Sequence, residues 1–144
     1  MNPTILVVEE DRGGRALLVR WLEQAGYHVR EAGSSAEACR RIAARSPDVV
    51  IIDAGSGYRA GMELVASLFA DLTLPAVRTL VLTGEGAVAA YAEDLGADFL
   101  PHPVLREHLL AAVARVLGAP APATPPIGYE SAMTGRAAPW PLRT

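Results

Sequence analysis

Asp53 closes the apolar run Val49-Val50-Ile51-Ile52 and is followed by Ala54-Gly55-Ser56-Gly57. A carboxylate delivered by a buried strand to a glycine-rich loop is a place to look for chemistry. A second acidic group, Glu9-Glu10-Asp11, follows the apolar run Ile5-Leu6-Val7-Val8. Thr83 ends the run Thr79-Leu80-Val81-Leu82, and His102 stands between Pro101 and Pro103. If these strand ends meet, carboxylates, a hydroxyl and an imidazole share one crevice. Three carboxylates cannot remain ionised side by side without a compensating cation, which predicts a hard dication, Mg2+, completed by waters and a backbone carbonyl. Of the two glutamates, Glu10 is preferred over Glu9 as its ligand. Such a site suits phosphoryl transfer: Asp53 attacks phosphorus to form an acyl phosphate, and Thr83 bonds a phosphoryl oxygen. Blander readings stand beside these. Asp53 could cap its own loop, Thr83 could be a β-branched strand residue, and His102 could be an exposed loop residue. Asp11 reads as the N-cap of the helix that begins near Arg12 rather than as a ligand.

The elements that must position these residues alternate along the chain. After the first strand, Leu17, Leu18, Trp21, Leu22 and Ala25 recur at helical spacing and Gly26 stops the helix. Tyr27 to Ala32 alternates like a more exposed strand, and a serine of Gly33-Ser34-Ser35 caps a helix over 36–45. The Asp53 strand follows Ser46-Pro47, and a helix over 61–71 carries Met62, Leu64, Val65, Leu68 and Phe69. Strand four ends at Thr83, an alanine-rich helix covers 87–95, and Ala97 to Leu100 is a brief fifth strand. The last helix, 104–117, has Leu105, Leu109, Leu110, Val113 and Leu117 on one side. Five strands alternating with five helices predict an α/β fold, a doubly wound parallel sheet of flavodoxin-like order 2-1-3-4-5. Its ligand crevice lies beyond the carboxyl ends of strands one and three, where the strand order reverses.

Composition narrows the class. The chain has 144 residues and a formal net charge of −3, so nothing in its balance recruits nucleic acid. Cys39 is the single cysteine, which excludes an internal disulfide and a paired-cysteine metal site and points to a reducing, cytoplasmic setting. The apolar run at the N-terminus is broken at once by acids, so it is neither a signal peptide nor a membrane span. Six of the eleven prolines fall after residue 118, which divides the chain into a domain over 1–118 and a Pro/Ala-rich tail over 119–144. Arg12, Arg15 and Arg20 could meet an acidic partner, yet such a row is usually a solvated face. Phe99 and Cys39 read as core packing.

From about Thr4 to Gly118 the chain resembles a response-regulator receiver domain of two-component signalling. The resemblance is carried by Val7-Val8-Glu9-Glu10, Ile51-Ile52-Asp53, Gly61 eight residues beyond Asp53, Val81-Leu82-Thr83-Gly84, Gly96-Ala97-Asp98-Phe99 and Pro103, a proline usually preceded by a cis bond. It implies a phosphoacceptor Asp53, a switch hydroxyl on Thr83, Mg2+ at the acidic pair, and no enzymatic activity beyond the domain's own phosphorylation and dephosphorylation. The implied partners are a histidine kinase or histidine phosphotransfer protein and a downstream protein target, with a homodimer as a further option. Neither nucleic acid nor membrane is bound directly. Three departures qualify the likeness. His102 replaces the family's lysine; an unperturbed histidine, with a pKa near 6.5, is only about a quarter protonated at pH 7, and the nearby acids should raise that fraction. Glu10 replaces an aspartate, and Gly55-Ser56-Gly57 replaces a bulkier, proline-containing loop, which should loosen the site although Gly55 can still offer its backbone carbonyl to the metal. These departures keep a second reading in play, a degenerate receiver-like adaptor that works by protein–protein interaction without phosphorylation. A third is a flavodoxin-like domain binding a nucleotide or cofactor in the same crevice.

Overall fold

The computed structural model describes residues 2–55, 57–70 and 77–118. Asp71, at the end of the expected third helix, and the tail over 119–144 lie outside them. Elements alternate in chain order: β1 (Thr4–Val8), α1 (Arg12–Gln24), β2 (His28–Ala32), α2 (Ser35–Ala44), β3 (Val49–Asp53), α3 (Tyr58–Phe69), β4 (Arg78–Thr83), α4 (Gly86–Asp94), β5 (Asp98–Pro101) and α5 (Arg106–Val116). The five strands form one parallel sheet in the order β2-β1-β3-β4-β5, the expected order. Each crossover helix packs onto a sheet face, which is why β1, β3 and the core of β4 are apolar without interruption.

Successive side chains of each strand point to opposite faces, and the core divides accordingly. Ile5, Val7, Val49, Ile51, Leu80, Leu82 and Leu100 pack against Leu18 and Leu22 of α1 and Leu109, Ala112 and Val113 of α5. Their neighbours Leu6, Val8, Val50, Ile52 and Val81 pack against α2, α3 and α4 through Ala38, Ile42, Leu64, Val65, Leu68, Val88 and Ala92. Phe99 is buried against Ala89, the packing role expected of it, and Cys39 packs against the edge of the core.

The helix starts follow their caps. Asp11 accepts from the Gly14 N–H at 2.7 Å, and Ser34 accepts from the Glu37 N–H at 3.1 Å. Helix α3 begins at Tyr58, three residues before the expected start, so Gly61 lies inside its first turn. A Cβ at Gly61 would stand 3.0 Å from the Ala54 carbonyl oxygen and 3.2 Å from Val88 Cγ2, so only glycine lets α3 approach the loop that follows Asp53. Two leucines assigned to apolar faces are exposed. Leu17 is 44% exposed, and Leu105 is 48% exposed because it is the N-cap of α5 rather than part of the helix. Periodicity alone carried them inward; at the rim of an amphipathic stripe the pattern has no power to say where the stripe ends. No helix among the described residues is long and apolar enough to cross a membrane.

Candidate functional site

Strand alternation decides which acids meet. Ile5 and Val7 face α1 and α5, and continuing that alternation by two residues puts Glu9 on the same side. By the same rule Val49 and Ile51 lead to Asp53, and Leu100 leads to His102. Glu10 continues the opposite set, Leu6 and Val8. The structure follows this parity. Glu9 and Asp53 have their carboxyl groups close enough to shift one another's ionisation, and His102 Nε2 lies 2.9 Å from Asp53 Oδ1. Glu10 is exposed on the other side, in a shallow depression with Ser35 of α2 and Glu63 of α3. The ligand expectation therefore passes from Glu10 to Glu9, for a reason legible in the sequence: the acid two residues beyond Val7, not three, shares the face of Asp53.

Asp53 is only 7% exposed. Its Oδ1 accepts from the Gly55 N–H at 2.9 Å as well as from His102, which fixes the carboxylate's orientation. Burial alone would raise its pKa; the hydrogen bond from His102, the Gly55 N–H and the imidazolium charge outweigh it and hold Asp53 below the usual carboxylate range. The same bond, opposed by burial and helped by the charges of Asp53 and Glu9, raises His102 above its ordinary value and favours the imidazolium. Glu9 takes the opposite shift: burial first, then the charge of Asp53, push it up to about 7. Two carboxyl groups face each other, and in the metal-free protein Glu9 is the one that ionises last.

Thr83 is fully buried, and its Oγ1 accepts from the Glu85 N–H at 3.1 Å. It is linked to the histidine through the main chain, since the His102 N–H donates to the Thr83 carbonyl at 3.0 Å. The His102–Pro103 peptide is cis. Gly55 has φ +70°, a conformation that favours glycine, and its carbonyl accepts from the Gly84 N–H at 2.9 Å. Ser56 is outside the described residues.

Sequence reasoning missed Arg15. Instead of standing on a solvated face, it donates from Nη1 to the Glu9 carbonyl at 2.7 Å and from Nε to Glu31 Oε1 at 3.1 Å. No signal in the sequence announces a contact whose acceptor is a main-chain oxygen.

A Mg2+ ion is the group this constellation suggests. Among the described residues no three His, Cys, Asp or Glu side chains converge to hold a metal by themselves. Mg2+ does not need three: it keeps several waters and takes one or two carboxylates. An opposed pair of carboxyl groups, Asp53 buried and Glu9 half-buried, with Glu9 driven up to about 7 by burial and by the charge of Asp53, is the donor chemistry that a hard dication relieves. The Gly55 carbonyl retains a second lone pair beside its bond to Gly84. The residues fit the ion.

The family model of the response regulator receiver domain matches residues 5–114. The chain belongs to that family. Curated relatives include the response regulator MprA of Mycobacterium ulcerans, 35% identical over 123 residues, and that of Mycobacterium sp. (strain KMS), 36% identical over 123 residues; both alignments cover 81% of this chain and 51% of the relative. The chain thus spans about half the length of the curated relatives it matches. Among solved structures, a putative response regulator from Chloroflexus aurantiacus superposes with a TM-score of 0.70 at 28% identity, covering 82% of this chain and 99% of that one. The chemotaxis protein CheY4 of Vibrio cholerae superposes with a TM-score of 0.68 at 26% identity, covering 81% of this chain and 99% of that one. This receiver domain is therefore a module of two-component signalling, and receivers generally bind Mg2+ at an acidic pocket.

Proposed function

We propose that this receiver takes a phosphoryl group onto Asp53 from a phosphohistidine on a histidine kinase or phosphotransfer protein, and that the modification changes its affinity for a downstream protein. The observation that carries the reading is the convergence on a nearly buried Asp53 of one acid, Glu9, and one cationic group, His102. With Oδ1 held by Gly55 and His102, Oδ2 is the attacking oxygen. It forms the new O–P bond as the N–P bond breaks, and the donor imidazole leaves with the electron pair and takes up a proton. Glu9, Asp53 and the Gly55 carbonyl would hold Mg2+, which would neutralise charge on the phosphoryl oxygens. His102 would supply the cation opposite, in place of lysine, and the hydrogen bond to Asp53, which raises its pKa, favours that charge. The Thr83 hydroxyl accepts from Glu85 but still has its own hydrogen to donate to a phosphoryl oxygen.

We assign the receiver function to residues 1–118, with the Pro/Ala-rich stretch 119–144 outside it, and a cytoplasmic setting, where phosphohistidine donors work. Mass spectrometry after incubation with Mg2+ and a small-molecule phosphodonor tests the reading. It predicts the gain of one phosphoryl group, abolished by Asp53→Asn. A protein that gains no mass, or gains it equally in the Asp53→Asn variant, would instead act as a phosphorylation-independent adaptor, with the Asp53–His102 pair as a permanent closure of the crevice.

A further inference from the structure

Glu9 is held from the sheet edge and from α1. Its N–H donates to the Ala32 carbonyl at 3.1 Å, and its own carbonyl accepts Arg15 Nη1 at 2.7 Å, so the main chain is pinned on both sides. Arg15 is itself fixed by Glu31, and its side chain is only 18% exposed. Two glycines make the room. A Cβ at Gly33 would stand 3.0 Å from Arg15 Nη1, and a Cβ at Gly14 would stand 3.1 Å from Glu9 Oε1. On the other side of the carboxyl, the Asp11 N–H donates to Glu9 Oε2 at 3.2 Å.

We propose that Gly14 and Arg15 are positioning residues for the Asp53 site: together they form a seat in the first turns of α1 that admits a glutamate at position 9 and holds its carboxyl against Asp53. The consequence for phosphorylation rests on the phosphoacceptor reading above; the seat itself does not. Glutamate reaches one methylene further than aspartate, and its carboxyl packs against the open side of Gly14, with Oε1 only 3.1 Å from where a Cβ would stand. A methyl group there meets the end of a flexible side chain rather than backbone, so α1 tolerates it and gains from alanine's helix propensity. The crowding is relieved by moving the carboxyl, and the site bears the change. Arg15 acts through the main chain, and its charge-assisted bond fixes the direction in which residue 9 leaves β1.

Gly14→Ala and Arg15→Gln, each made in the parent and in a Glu9→Asp background, separate these effects. Two readouts are needed: hydrogen exchange of the Asp11 amide in metal-free protein, and the initial rate of mass gain with Mg2+ and a small phosphodonor. Gly14→Ala should speed Asp11 exchange and slow phosphoryl uptake about tenfold, the scale of a sub-ångström misplacement, with a melting temperature no lower than the parent's. In the Glu9→Asp background it should do neither, because the shorter side chain no longer reaches position 14. The Asp11 carboxylate, 3.3 Å from the added methyl, is crowded equally in both backgrounds, so the difference isolates Glu9. Arg15→Gln should slow uptake in both. A Gly14→Ala defect of equal size in the Glu9→Asp background, or none in the parent, overturns the seat, and parent-like behaviour of Arg15→Gln removes Arg15 from it. If the parent gains no mass, the phosphoacceptor reading fails, and Asp11 exchange alone decides the seat.

Discussion

A carboxyl group that keeps its proton to about pH 7 has a cost in the absence of a metal, and the sign can be worked out. Glu9 has a higher pKa folded than unfolded, so between roughly pH 4.5 and 7 the folded state binds more protons and stability falls as pH rises. Discounted for partial exposure and solvent screening, the loss is about 1–2 kcal/mol. Glu9→Gln, which cannot ionise, should therefore be more stable than the parent at pH 8 and equal to it below pH 4.5, as urea titrations without divalent ions would read; equal midpoints at pH 8 would refute the shift. His102 has a linkage of the same sign with a different cause, a favourable hydrogen bond to Asp53 that is lost rather than a buried charge that is gained. Its raised pKa gives a contribution that is full below its unfolded pKa and fades as pH rises through the folded one. At this scale the sequence was partly legible. Strand alternation already assigns Glu9, Asp53 and His102 to one face, and the neighbouring acids already imply an imidazolium. Arg15 was not legible, because a main-chain acceptor leaves no mark among side chains.

Elements are legible where burial imposes a period and illegible where close approach decides. The runs Ile5–Val8 and Val49–Ile52 could be read as strands because both faces are covered, so no polar residue interrupts them. Leu17 and Leu105 misled for the complementary reason: apolar residues at the rim of a helix stripe obey the period without being buried. Gly61 lies in α3, where alanine would ordinarily stabilise, yet the added methyl would meet the Ala54 carbonyl oxygen at 3.0 Å. Because backbone cannot yield as a side-chain end can, Gly61→Ala should lose about 1–3 kcal/mol in chemical denaturation. A variant as stable as the parent would show that α3 can shift away from the Asp53 loop.

At the scale of the whole molecule the sheet divides two cores that do not share side chains. Ile51 lies with α1 and α5, and Ile52 lies with α2, α3 and α4, and both have no exposed surface. Ile51→Ala and Ile52→Ala should each lose about 2–5 kcal/mol by urea unfolding. A sheet with one solvated face would show a large loss for one and almost none for the other, and that asymmetry would contradict the two-core arrangement. The sequence revealed this layering through its alternation of strands and helices, together with the strand order. It did not reveal how the layers are joined beyond the strands. There the ladder between β3 and β4 continues past the acid: Ala54 N–H donates to the Leu82 carbonyl at 2.8 Å, and Gly84 N–H to the Gly55 carbonyl at 2.9 Å. Asp53 thus stands two rungs inside the ladder, and Gly55 itself supplies the outer one. Thermal fraying, which starts at strand tips, must undo the Gly55–Gly84 rung before it can loosen the carboxylate.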